Sequence, residues 1–214
     1  MEHIHGKKLK IIRKHNNMKK LILIIIVIFG INIANAQTEA PIENWINYVK
    51  SKNIYFKDVN NLFNKFLGTW EYNNGNQYFK ITFYKQIKTF DGNYQYSDRI
   101  YSHFLYQYNG NTIYDTYPPG GISATPYFSY IDGSKHVVVN NNKLLLFYNE
   151  PSTTGCDRTK RGEVNLEHQY QGQVPQLIWE RTDFRVGKYD CPQGTTPDTS
   201  AFQIPANMTL TKVN

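Results

Sequence analysis

Between Gln37 and Asn214 the side chains able to do chemistry are three histidines, a scatter of carboxylates, two cysteines and a crowd of tyrosines. His103, His136 and His168 stand alone. None has a second histidine one helical turn away and no cysteine pair lies near, so the donor spacing of a zinc site is absent. Glu71, Asp98, Asp115, Glu150 and Glu180 could include the acid and base of a glycosidase, but nothing in their spacing brings two of them together across a sugar. No Gly-x-Ser-x-Gly elbow, phosphate-cradling glycine loop or His-Glu-x-x-His run occurs. The chain is therefore assigned no catalytic residue, no metal and no cofactor, and a non-enzymatic role is expected.

Cys156 and Cys191 lie in polar, loop-like sequence. In an oxidising compartment such a pair is expected to form a disulfide, tying one loop to another and contributing about 3–4 kcal/mol by restricting the unfolded chain. All 17 tyrosines follow residue 36, and 12 of them fall between Tyr72 and Tyr130. Tyrosine suits half-buried strands, so cross-strand packing accounts for most of them. Inward-facing tyrosines would add an aromatic pocket with hydroxyl handles. Outward-facing ones would offer a stacking surface to a glycan or a protein.

The first 36 residues bear on where this chemistry takes place. Lys19 and Lys20 precede the apolar run Leu21 to Phe29, and Ala34-Asn35-Ala36 supplies a small-x-small site before Gln37. A basic flank, an apolar stretch of roughly 7–15 residues and an A-x-A site make a signal peptide. The run, broken by Asn32 and Asn35, falls short of the ~20 residues of a spanning helix. Residues 1–36 are thus expected to be cleaved, with the membrane met only during export and the product released to the periplasm or outside the cell. Met18 opens its own Met-Lys-Lys, so the start is either Met1 or Met18. Seven of the chain's 24 Lys and Arg, and one of its 17 Asp and Glu, belong to this leader. Residues 37–214 keep 17 bases and 16 acids, so the formal charge of +7 is largely the leader's. The basic footprint that nucleic acid requires is absent.

Two helical stripes open the remainder. Ile42, Trp45, Ile46 and Val49 recur at helical spacing after Pro41, and Val59, Leu62, Phe63 and Phe66 do so after Asp58, a natural N-cap, with Gly68 as the stop. Beyond Gly68 the period falls from 3.6 to 2. Phe79, Ile81 and Phe83 alternate with polar or aromatic neighbours. Ile100, Ser102, Phe104, Tyr106 and Tyr108 share a face, as do Leu144, Leu146 and Tyr148, then Leu177, Trp179 and Arg181, then Met208, Leu210 and Lys212. Asn74-Gly75, Asp91-Gly92, Asn109-Gly110 and Asp132-Gly133 read as the turns between such strands. Loops are expected over 117–126, 151–163 and 190–205. This pattern predicts an all-β, antiparallel up-and-down barrel or a sandwich, preceded by one or two short N-terminal helices. Phe79, Ile81, Phe83, Ile100, Phe104, Leu144 and Leu146 would line its inner face, either around a ligand or as solid core.

The segment Asn61 to Tyr72, with Phe63, Phe66 and then Gly68-Thr69-Trp70, resembles the opening motif of the lipocalins. That resemblance implies a lipocalin-like barrel in which Trp70 plugs the closed end and Gly68 lets the chain pass close beneath. It also implies a late arginine across the tryptophan, for which Arg181 and Arg185 are candidates. The overall layout is similar to small exported bacterial proteins of unassigned function. The organisation expected is a leader (1–36), an N-terminal helical segment (37–67) and an antiparallel β domain (68–214). The function expected is binding of a small apolar or amphipathic ligand. The alternative is an envelope or secreted module that engages glycan or protein through exposed tyrosines.

Overall fold

The computed structural model describes residues 37–48, 52–92, 94–118, 131–133, 138–140, 142–152, 154, 156, 160–185, 191 and 193–213. The expected leader, His136 and residues 119–126 lie outside them. The strands are β1 (Thr38–Pro41), β2 (Ile54–Lys57), β3 (Gly68–Asn73), β4 (Gln77–Phe90), β5 (Gln95–Tyr108), β6 (Asn111–Asp115), β7 (Ile131–Gly133), β8 (Val138–Asn140), β9 (Lys143–Asn149), β10 (Lys160–Gln171), β11 (Val174–Arg185) and β12 (Asn207–Lys212). One 3₁₀ helix covers Ile42–Tyr48. Apart from Thr38, these elements belong to one compact unit, residues 39–214.

Eight strands close a ring in the order β3, β4, β5, β7, β9, β10, β11, β12. Each is antiparallel to the next, and β12 returns to β3 through Thr211 opposite Glu71 and Lys212 opposite Trp70. Ring order follows chain order, so the alternation builds an up-and-down barrel and not a sandwich. The Asn109-Gly110 turn shows why the hairpins form where they do. Both residues adopt positive φ, 48° and 76°, as a two-residue hairpin turn demands. Gly162 is required by close approach, because a Cβ there would lie 2.4 Å from the Thr182 carbonyl oxygen on β11.

One edge of β5 pairs with β4, while its other edge is shared by β2 in parallel, then β7, then β6. The ring therefore depends on β7, three residues that bridge β5 and β9. Asp132-Gly133, expected as a turn, lies inside this strand. Flanking partners on both sides outweigh the local turn preference of Asp-Gly. β1 and β2 add strand where the sequence suggested only helix.

The N-terminal stripes fold differently from expectation. The first is a 3₁₀ helix, whose three-residue period puts Ile42, Trp45 and Tyr48 on the packed face. Ile46, a core position in an α-helix, is instead 68% exposed. The second stripe is a chain of turns and not a helix. Asn64 N–H donates to the Asn61 carbonyl (3.1 Å) and Phe66 N–H to the Phe63 carbonyl (2.9 Å), while Asn61 takes φ +53° and breaks the helical path. Asp58 still caps, its carboxylate accepting from Leu62 N–H at 2.6 Å and Phe63 N–H at 3.4 Å.

Candidate functional site

Alternation directs Phe79, Ile81 and Phe83 of β4, Ile100 and Phe104 of β5, and Leu144 and Leu146 of β9 into one buried apolar cluster. All seven expected lining residues are brought together. Each is worth about 1.5–3 kcal/mol when fully withdrawn from water. At the centre the Phe79 ring meets Trp179 at 5.4 Å, Phe104 at 5.7 Å and Tyr106 at 6.5 Å between centroids. Trp179 is fully buried, yet its indole Nε1–H meets no acceptor among the described residues. An indole nitrogen only donates, so this is one buried donor left unpaired.

At one end the turns between Asp58 and Phe66 lie against Trp70. The indole Nε1–H of this fully buried tryptophan donates to the Phe66 carbonyl at 2.8 Å, and Phe63 and Phe66 are buried with it. His168 meets Trp70 edge-on at 6.1 Å. Burial, then the nearby charges of Lys65 and Lys212, hold its imidazole below the ordinary value. Gly68 has φ +102°, a backbone that favours glycine. The cation over the Trp70 ring is Lys212, whose Nζ sits 5.2 Å from the centroid. Of the two candidate arginines, Arg181 lies at the opposite end of the β11–β12 ladder, over Tyr148 (4.9 Å) and Phe202 (4.6 Å), while the side chain of Arg185 lies outside those described. Lysine at the end of β12 supplies the positive charge that the resemblance had assigned to arginine.

The opposite end holds a buried polar network that spacing could not reveal. Glu150 accepts from Tyr148 Oη (2.5 Å), Gln203 N–H (2.7 Å), Tyr114 Oη (3.2 Å), Lys160 Nζ (3.3 Å) and Ile204 N–H (3.3 Å). Lys160 also pairs with Asp198 (3.5 Å), and Arg181 with Glu150 (3.7 Å) and Asp183 (2.5 Å). Burial and then the Glu150 charge push the Tyr148 phenol well above its ordinary value, so it remains a donor. These five donors occupy both carboxylate oxygens, so Glu150 joins β9, β10 and the 198–204 segment. The Cys156–Cys191 disulfide links the same two loop regions, its Cα atoms 5.1 Å apart.

The other candidate carboxylates are separate. Asp98 is held by Tyr55 Oη (2.5 Å) and the N–H groups of Asp58 and Lys88, Glu71 accepts from Tyr78 Oη (2.8 Å), and Asp115 accepts from Tyr117 N–H (3.0 Å). Glu180 is exposed. Among the described residues no three His, Cys, Asp or Glu side chains gather as metal ligands. His103 is buried on β5 and lies 3.1 Å from Tyr84 Oη. Among the described tyrosines Tyr94, Tyr108 and Tyr170 are exposed, while Tyr55, Tyr101, Tyr106, Tyr114 and Tyr148 are buried.

A family model described as a family of unknown function matches residues 18–213. No curated protein and no solved structure matches the chain.

Proposed function

The chain belongs to that family of unknown function, DUF6705, and for it we propose an exported, non-enzymatic barrel that carries a small apolar or amphipathic ligand. An eight-stranded barrel is the size that either fills with side chains or holds one small ligand. The lining is apolar and aromatic, which suits a hydrocarbon or ring body. The observation that carries the proposal is the unpaired Trp179 Nε1–H inside the barrel. Leaving a buried donor unmatched costs about 1–3 kcal/mol. A ligand with one acceptor, such as a carboxylate, ester or hydroxyl oxygen, would recover that cost in the bound state. Export is supported by the leader pattern, whose Met18 coincides with the start of the family match, and by the disulfide. Destination is then the periplasm or the exterior.

An environment-sensitive apolar dye should bind the folded protein saturably and be displaced by fatty acids. Trp179→Phe keeps the ring and removes the donor. The dye-displacing fatty acid should then bind about tenfold more weakly, the worth of one hydrogen bond, while the unliganded protein melts no lower. Absence of saturable dye binding, or unchanged fatty-acid affinity in the variant, contradicts the proposal.

A further inference from the structure

On the outside of the barrel a cleft of about 300 Å³ is lined by Asn73, Gly75, Asn76, Tyr78, Gln107 and Gly110. Strand register builds its floor. Asn73 lies opposite Tyr78, and Tyr78 opposite Gln107, so one aromatic ring stands between two amides in a row across β3, β4 and β5. Partners so placed have Cβ atoms about 4.5–5.5 Å apart. The end wall is two hairpin turns locked together, Asn109 N–H donating to the Asn76 carbonyl at 2.8 Å.

The lining decides what fits. Tyr78 spends its hydroxyl on Glu71 at 2.8 Å, and burial followed by that bond raises the phenol to about 12, so its ring remains as a flat, uncharged surface. Asn76 makes no side-chain hydrogen bond among the described residues, Asn73 uses only its oxygen, toward Gly75 N–H at 2.8 Å, and Gln107 uses only its nitrogen, toward Thr112 at 3.2 Å. Each amide thus keeps a donor, an acceptor or both. No ammonium, guanidinium or carboxylate lines the cleft, which disfavours anions and cations, and its polar wall disfavours the apolar ligand of the interior. Vicinal hydroxyls against amides and a C–H face against an aromatic ring are the chemistry of a neutral saccharide. We infer that this cleft is a binding site for a neutral saccharide, separate from the barrel interior and independent of any ligand there. Its volume is at the lower limit of small-molecule sites, about 300–1,000 Å³, so one or two sugar units set its reach.

The full chain should be applied to an array of neutral gluco-, manno-, galacto- and xylo-oligosaccharides, with sulfated and uronic-acid oligosaccharides as controls. At least one neutral oligosaccharide should bind with micromolar to millimolar affinity. Asn76→Ala, on an exposed turn, should weaken that binding at least tenfold, as should Tyr78→Ala. Tyr78→Phe should preserve it, because the hydroxyl points to Glu71, and Trp179→Phe should leave it unchanged. No neutral binder on the array, a preference for the charged controls, or affinity that survives Asn76→Ala overturns the inference. Loss of saccharide binding in Trp179→Phe would place the sugar in the interior and overturn it equally.

Discussion

Asp132 faces outward from β7, opposite Tyr101 on β5 and Phe147 on β9. Burial raises its carboxyl to about 6, with Arg99 opposing and Asp91 reinforcing the rise. A carboxyl raised above its unfolded value near 4 contributes stability that is complete below that value and lost as pH rises through about 6. Asp132→Asn removes this loss. It should stabilise the protein at pH 7.5 by up to about 3 kcal/mol, read as a higher melting temperature, and do little at pH 4. Equal effects at both values, in thermal melts of the two proteins, would show that the carboxyl does not titrate in this window. Glu150, also a carboxylate, behaves differently because Lys160 and Arg181 balance its charge. Truncating it would leave Lys160 to Asp198 and Arg181 to Asp183, and would unpair the buried Tyr148 hydroxyl and Ile204 N–H, at a cost of about 3–5 kcal/mol.

At the scale of elements, periodicity made the long strands legible. Every inward residue named on β4, β9 and β12 points inward because partners on both sides agree with the alternation. Short elements were less legible, since context decides them. Asp132-Gly133 carries turn chemistry yet pairs on both edges, and Ile42 to Tyr48 carries an α stripe yet winds with three residues per turn. The cation over Trp70 was sought among arginines, whereas Lys212 reaches it from the last strand. Glu150, Lys160 and Asp198 left no local pattern because their partners come from different loops. The cysteines were legible from number and setting alone. Their bridge closes a loop of sequence separation 35, so reduction should cost about 3–4 kcal/mol, lowering the melting temperature of the unalkylated protein. An unchanged melt after verified reduction would mean that the buried network alone holds the two loops.

At the largest scale, residues 39–214 build a closed eight-stranded ring with one end packed by Trp70 and its turns and the other joined by a polar network. An interior reserved for a ligand and an interior used as solid core draw on the same residues, which is why alternation alone could name the lining and not its use. The two differ in how they receive added volume. Leu146, buried on β9, offers the comparison, since Leu146→Phe pushes extra carbon atoms inward. The measurement is a dye titration of Leu146→Phe against the parent protein, with the melting temperature of each recorded in the same samples. Ligand space predicts saturable binding to the parent, clear weakening in the variant and nearly unchanged melting. A close-packed core predicts no saturable binding to either and a loss of about 1–3 kcal/mol from overpacking, and that result would contradict the proposed function.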